Sequence, residues 1–238
     1  MMQMSGRNGQ MEKAYDRMTL EFGTGNDTER FTAAGVFDKL GLLVLIALLT
    51  GAVGYAVDSV GLLFLGMIGG LVLALVGIFK PGTARVVAPL YAVAEGLALG
   101  TLTSVYAAGS NGIAPLAIIF TGGIFIAALV VFRSGLVKVT PKFASMTLIL
   151  LVGFMLVSIA GAFGLFPGLN SETGLLIYGA IGSIIAVMRL FMNFDYVYKG
   201  EQRNLPAEGE WYGALIVMIS LVFLYINVLT MLASRRRR

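Results

Sequence analysis

The sequence predicts an all-α integral membrane protein built as a seven-transmembrane-helix bundle, and three observations carry that prediction. Hydrophobic residues make up 58% of the 238 positions against 13% charged, whereas about a quarter of a soluble domain is charged. The apolar residues gather into seven runs, each near the roughly 20 residues that a helix needs to cross the hydrocarbon layer. Basic residues fall in every second connection between those runs, as topology signals do.

Taken in order, the runs cover about 36–57, 60–80, 86–107, 113–132, 144–166, 173–195 and 211–233. Clusters such as Lys80-Pro81-Gly82, the Gly- and Asn-containing stretch 108–112 and Phe166-Pro167-Gly168 separate them. The connection after the second run carries Lys80 and Arg85, that after the fourth Arg133, Lys138 and Lys142, and that after the sixth Lys199 and Arg203. The other three connections contain no Lys or Arg. The bias of basic residues toward the inside then predicts a multi-pass protein of the cell (inner) membrane with a cytoplasmic N-terminus.

The expected organisation is a cytoplasmic, flexible tail over 1–31, a transmembrane domain over 32–234 and a basic tail over 235–238. Arg7, Lys13, Arg17 and Arg30 agree with a tail on the inside, and the tail has no apolar stretch of signal-peptide type. Arg235 to Arg238 disagree, because a full seventh crossing puts them outside; a re-entrant seventh segment with both termini inside is the alternative.

Composition also narrows the chemistry. With no Cys and no His, thiolate sites, disulfides, the usual zinc ligands and the usual near-neutral proton switch are all excluded. No nucleic-acid partner is expected despite the net charge of +4, since the basic residues sit in separate short clusters. The bilayer is the first expected partner, no catalytic residue or cofactor is expected, and the chain reads as no enzyme.

Ionisable groups inside a membrane cost about 2.5 kcal/mol or more and so mark candidate functional positions. Glu95 is the deepest carboxylate, about nine residues or ~13 Å from the near end of its helix. Arg189 lies about six residues or ~9 Å inside Asp195, which is expected to end the sixth helix. Glu95 and Arg189 either face each other as a pair or Arg189 snorkels to the interface. In the seventh run Gly213, Ser220 and Asn227 recur every seventh residue and share one helix face. That face is expected to look into the bundle, where an Asn can find partners, and it marks the seventh helix as the central one. Tyr91 and Glu95 share a face of the third helix, with Thr103 loosely on the same side. Together these residues predict either a polar path or a static network that fixes helix register. The glycines at 66, 69, 70, 96, 100, 122, 123, 153, 161, 179 and 182 read as close-packing positions between helices.

The stretches APLYAVAEGLALGTLTSVY (88–106), MRLFMNFDYVYKG (188–200) and EWYGALIVMISLVFLYINVLTML (210–232) resemble the bacterial branch of the Bax inhibitor family, also called transmembrane Bax inhibitor motif proteins. The resemblance extends over about 32–234. It implies a seventh helix surrounded by the other six and, for some members, a pH-sensitive calcium leak. In those members a carboxylate at the end of the sixth helix pairs with an Asp of the seventh, held by a basic residue near the second helix. Asp195 matches the first carboxylate, and Lys80 or Arg85 matches the basic group. The second carboxylate is missing, since its slot falls on Ser220 or Asn227. The expected remnant is Asp195 bonded to Ser220 or Asn227, with Glu95 as the titrating group within the membrane.

The resulting expectation is a pH-sensitive cation leak channel of the cell membrane, gated by protonation of Glu95 or Asp195. Calcium is the permeant ion that the resemblance implies, with Asp195 and Glu95 as its oxygen ligands and Arg189, Lys80 and Arg85 as charge partners. The alternative is a non-transporting interaction protein that binds a membrane-protein partner such as a protease or a stress-response protein.

Overall fold

The computed structural model describes residues 30–107 and 112–234. Seven helices account for nearly all of them: α1 (Ala33–Val57), α2 (Val60–Phe79), α3 (Ala84–Ala107), α4 (Ile113–Arg133), α5 (Pro141–Ala162), α6 (Glu172–Gln202) and α7 (Gly209–Ser234). Each is long and apolar enough to cross a membrane.

Local chemistry sets the helix starts. The hydroxyls of Thr32, Thr140 and Ser171 accept hydrogen bonds from the amides of Gly35, Phe143 and Gly174 at 2.9, 3.2 and 3.0 Å, opening α1, α5 and α6. Each satisfies one of the amides that a helix leaves free in its first turn. Pro141 begins α5, where its missing amide costs nothing. The connections turn through Asp58 and Gly135, both with positive φ, and through the short 3-10 turns Pro81–Thr83 and Pro167–Asn170.

Glycine sets how closely the helices approach. A methyl group placed on Gly100 would collide with the Gly51 carbonyl, and one on Gly54 with the Leu97 carbonyl, so α1 and α3 meet almost backbone to backbone. Gly66 lies in the same way against Ala94 and Ala98, joining α2 to α3. Gly179 and Gly182 accept α7 at Asn227 and Met231.

α7 is the hub. It packs against α1, α2, α3, α4 and α6, and Phe223 meets Phe154 of α5 edge-on with ring centroids 5.7 Å apart. The expected central position of the seventh helix is thus observed, and Gly213, Ser220 and Asn227 are all buried. Outward-facing Leu49, Phe64, Leu65, Ile68, Ile149 and Leu156 are exposed on the outer helices, which suits a hydrocarbon solvent rather than water. α7 is also uninterrupted over its 26 residues, about 39 Å at 1.5 Å per residue. An unbroken helix of that length is long enough to cross the hydrocarbon layer.

Two expected boundaries change. α6 does not stop at Asp195 but continues to Gln202, because the fall in hydropathy marks where the helix leaves the apolar layer and not where its hydrogen bonds end. At the other terminus Arg30 and Phe31 are not free tail. The Phe31 amide donates to the Leu205 carbonyl at 2.9 Å, Arg30 bridges to Pro206, and the Phe31 ring is buried. Residues 1–29 of the expected tail and the four arginines at 235–238 lie outside the described residues.

Candidate functional site

Polar side chains gather at three levels of the bundle. The first is the end where α1 and α7 begin and α6 finishes. There Glu210, only 5% exposed, accepts hydrogen bonds from the Thr32 amide at 2.8 Å, the Thr32 hydroxyl at 3.0 Å and the Lys39 ammonium at 2.5 Å. Gly35 leaves the room that the carboxylate occupies. Glu201 of α6 accepts from the Ala33 amide at 3.2 Å. Three helices are joined by these carboxylates, and the free amides at the start of α1 donate two of the bonds.

Asp195 lies at the same end, on α6. Its carboxylate accepts from Lys199 one turn further along the same helix at 2.6 Å. It bonds neither Ser220 nor Asn227, the expected remnant of a latch. Those partners are taken or turned elsewhere. The Ser220 hydroxyl accepts from Asn193 at 2.8 Å, and the same Asn193 amide group donates to the Ile216 carbonyl at 2.8 Å. Asn227 donates to the Phe223 carbonyl at 2.7 Å, one turn back on α7, and its carboxamide oxygen is packed over Gly182 with no hydrogen-bond partner among the described residues. Lys80 and Arg85 are exposed and pair with no acid among the described residues. The expected basic clasp on Asp195 is therefore Lys199, whose spacing of four along a helix makes it a neighbour.

The second level lies within the crossing segments. Glu95 and Tyr91 are one turn apart on α3, and Tyr91 is buried. No ion pair joins Glu95 to Arg189 among the described residues, so the expected direct pair is not formed. Glu95 and Arg189 are half-buried. The Glu95 carboxyl lies over Gly70 of α2 and makes no hydrogen bond to any described residue.

The third level is toward the opposite end. Thr103 of α3 and Tyr225 of α7 share a hydrogen bond of 2.8 Å, Ser158 of α5 and Tyr178 of α6 one of 2.6 Å, and the Ser104 hydroxyl donates to Asp58. Thr103, which the sequence places only loosely with Glu95, thus faces the central helix.

No group of three or more acidic residues stands together in positions suited to a metal ion among the described residues. The residues that sequence reasoning missed are Asn193, Lys199, Lys39 and Glu210. The fourfold spacing of Asp195 and Lys199 was a readable signal; the Lys39–Glu210 partnership spans 171 positions and left none.

These features define a multi-pass helical membrane protein wrapped around a central seventh helix, with polar residues at successive depths. The sequence family described as Bax inhibitor 1 like matches residues 3–237, nearly the whole chain. The chain belongs to that family. No curated protein matches it.

Proposed function

We propose that the chain is a pH-sensitive cation leak of the cell membrane, with its N-terminus cytoplasmic and calcium as the ion that the family resemblance implies. The observation that carries this reading is Glu95. It is a carboxylate within a membrane-crossing helix, beside the central helix's neighbours, with no hydrogen-bond donor or ion-pair partner among the described residues. An ionised group so placed calls for a counter-ion, and a proton and a hard cation compete for the same oxygens. Exchange between the two is a pH-sensitive leak. Tyr91 precedes that station by one turn of α3.

Asp195 has a different role from the one the family latch implies. A pair that joins two helices can hold them shut, whereas Asp195 and Lys199 belong to one helix. Their separation stiffens or relaxes the end of α6 without tying it to α7. Glu95 is accordingly the gating carboxylate, and Asp195 lies at the mouth on the basic face.

The test is calcium entry into liposomes that hold the purified protein and a trapped calcium dye, followed at several pH values. Flux that changes with pH supports the reading; absence of flux at every pH from folded protein removes it. The interaction-protein reading keeps one supporting observation, the fixing of Arg30 and Phe31 against the α6–α7 connection. A partner that grips residues before 30 would pull directly on the start of α7. Deleting residues 1–29 separates the readings: a leak survives it, and a partner-binding function carried by the tail does not.

A further inference from the structure

Between the ends of α4 and α6 lies a cleft of about 400 Å³ lined by Phe132, Arg133, Asp195, Tyr198, Lys199 and Gln202. Two cations and one anion give it a surplus of positive charge. Asp195 is already engaged by Lys199, whose side chain is 38% exposed against 13% for the acid. An ammonium has three donor protons, so Lys199 can serve Asp195 and a second anion together. Arg133 is exposed and pairs with no acid among the described residues. Its guanidinium carbon stands 5.9 Å from the centre of the Tyr198 ring, which holds the planar fork across the aromatic wall of the cleft. Phe132 packs on the same ring at 5.6 Å.

The position of this cleft selects its ligand. Arg133 is the last residue of a membrane-crossing helix, which puts the cleft at the depth of lipid headgroups. The connection that follows carries Leu136, 79% exposed, next to Lys138 and Lys142. A fork of donors, an ammonium and an amide over an aromatic floor suit a phosphate, and the neighbouring exposed Leu136 suits an acyl chain. The geometry points to a headgroup site for an anionic phospholipid, with Arg133 and Lys199 holding the phosphate diester. The site stands whether or not the chain conducts ions.

The test uses the full chain in detergent micelles supplied with equal amounts of phosphatidylglycerol and phosphatidylcholine, with the retained lipid read by native mass spectrometry. The expected result is preferential retention of phosphatidylglycerol. Arg133→Gln and Lys199→Gln should each lower that preference about fivefold, while Lys138→Gln, on the same face but outside the cleft, leaves it in place. Arg133 is exposed, so its replacement spares the core and carries the test alone should the Lys199 variant fail to fold. Equal retention of the two lipids overturns the proposal. So does an unchanged preference in Arg133→Gln, or an equal loss in Lys138→Gln, which would mean diffuse attraction to the whole face. Binding of free glycerol phosphate as tight as that of the lipid would assign the cleft to a soluble anion instead.

Discussion

At the scale of single residues the glycines separate into two kinds that look alike in the sequence. Gly182 has the Asn227 carboxamide where a methyl group would go, while Gly122, Gly123 and Gly153 have nothing within 4 Å. Gly182→Ala should therefore force α6 and α7 apart and lower the melting temperature in detergent, by a loss of about 1–3 kcal/mol typical of overpacking. Gly122→Ala should be neutral or stabilising by up to about 1 kcal/mol, the helix preference for Ala over Gly. A thermal melt of the two variants checks both. The sequence reading assigned close packing to all eleven interior glycines. That holds at Gly66, Gly70, Gly96, Gly100, Gly179 and Gly182, and at Gly161 against Leu169, because helix spacing depends on which face a glycine turns to its neighbour. Composition does not carry that information; for a short apolar segment with residues of one size all round, neither does periodicity.

The ends of α1, α6 and α7 show what an element needs from outside itself. Three bonds converge on Glu210, two from Thr32 and one from Lys39, so this carboxylate fixes the entry of the central helix against the first. Glu210→Ala would leave the Lys39 ammonium and the Thr32 amide without their acceptor. The expected cost is about 3 kcal/mol, as when one partner of a largely buried pair is removed, with a lower melting temperature and faster hydrogen exchange at the start of α1. Glu210→Gln, which keeps an oxygen for Thr32, should cost less. An equal melt for Glu210→Ala and the unaltered chain would show the clamp to be ornamental. The seven crossings themselves were legible, since hydropathy reports directly where the chain meets hydrocarbon, and all seven observed helices match expected runs to within a few residues except at the end of α6. The extension of α6 was not legible, because hydropathy falls at Tyr196–Gln202 while the helix runs on. Nor were the partnerships of Glu210 and Asn193, which join residues distant in sequence.

The molecule as a whole is organised around α7, and the orientation proposed for it rests on charge. Lys80, Arg85, Arg133, Lys138, Lys142 and Lys199 belong to one end of the bundle, the end at which α1 starts. The chain has no cysteine of its own, so single introduced thiols report sidedness cleanly. Ser134→Cys is expected to react with a membrane-impermeant thiol reagent only after the cells are opened, and Thr173→Cys in intact spheroplasts; the reverse pattern would invert the topology. The Gly213, Ser220 and Asn227 face of the central helix was legible because a seven-residue recurrence defines one side of a helix. Its partners were not. A missing second carboxylate suggested a weakened latch on Asp195, whereas the folded chain gives Asp195 to Lys199 and Ser220 to Asn193, and Glu95, deep within its crossing helix, has no hydrogen-bond or ion-pair partner among the described residues. Calcium flux against pH in liposomes for the unaltered chain, Glu95→Gln and Asp195→Asn, side by side, separates the roles of the two carboxylates. Glu95→Gln is expected to abolish the pH dependence, while Asp195→Asn retains it with a changed amplitude. Loss of pH dependence in Asp195→Asn with a normal profile in Glu95→Gln would contradict those roles.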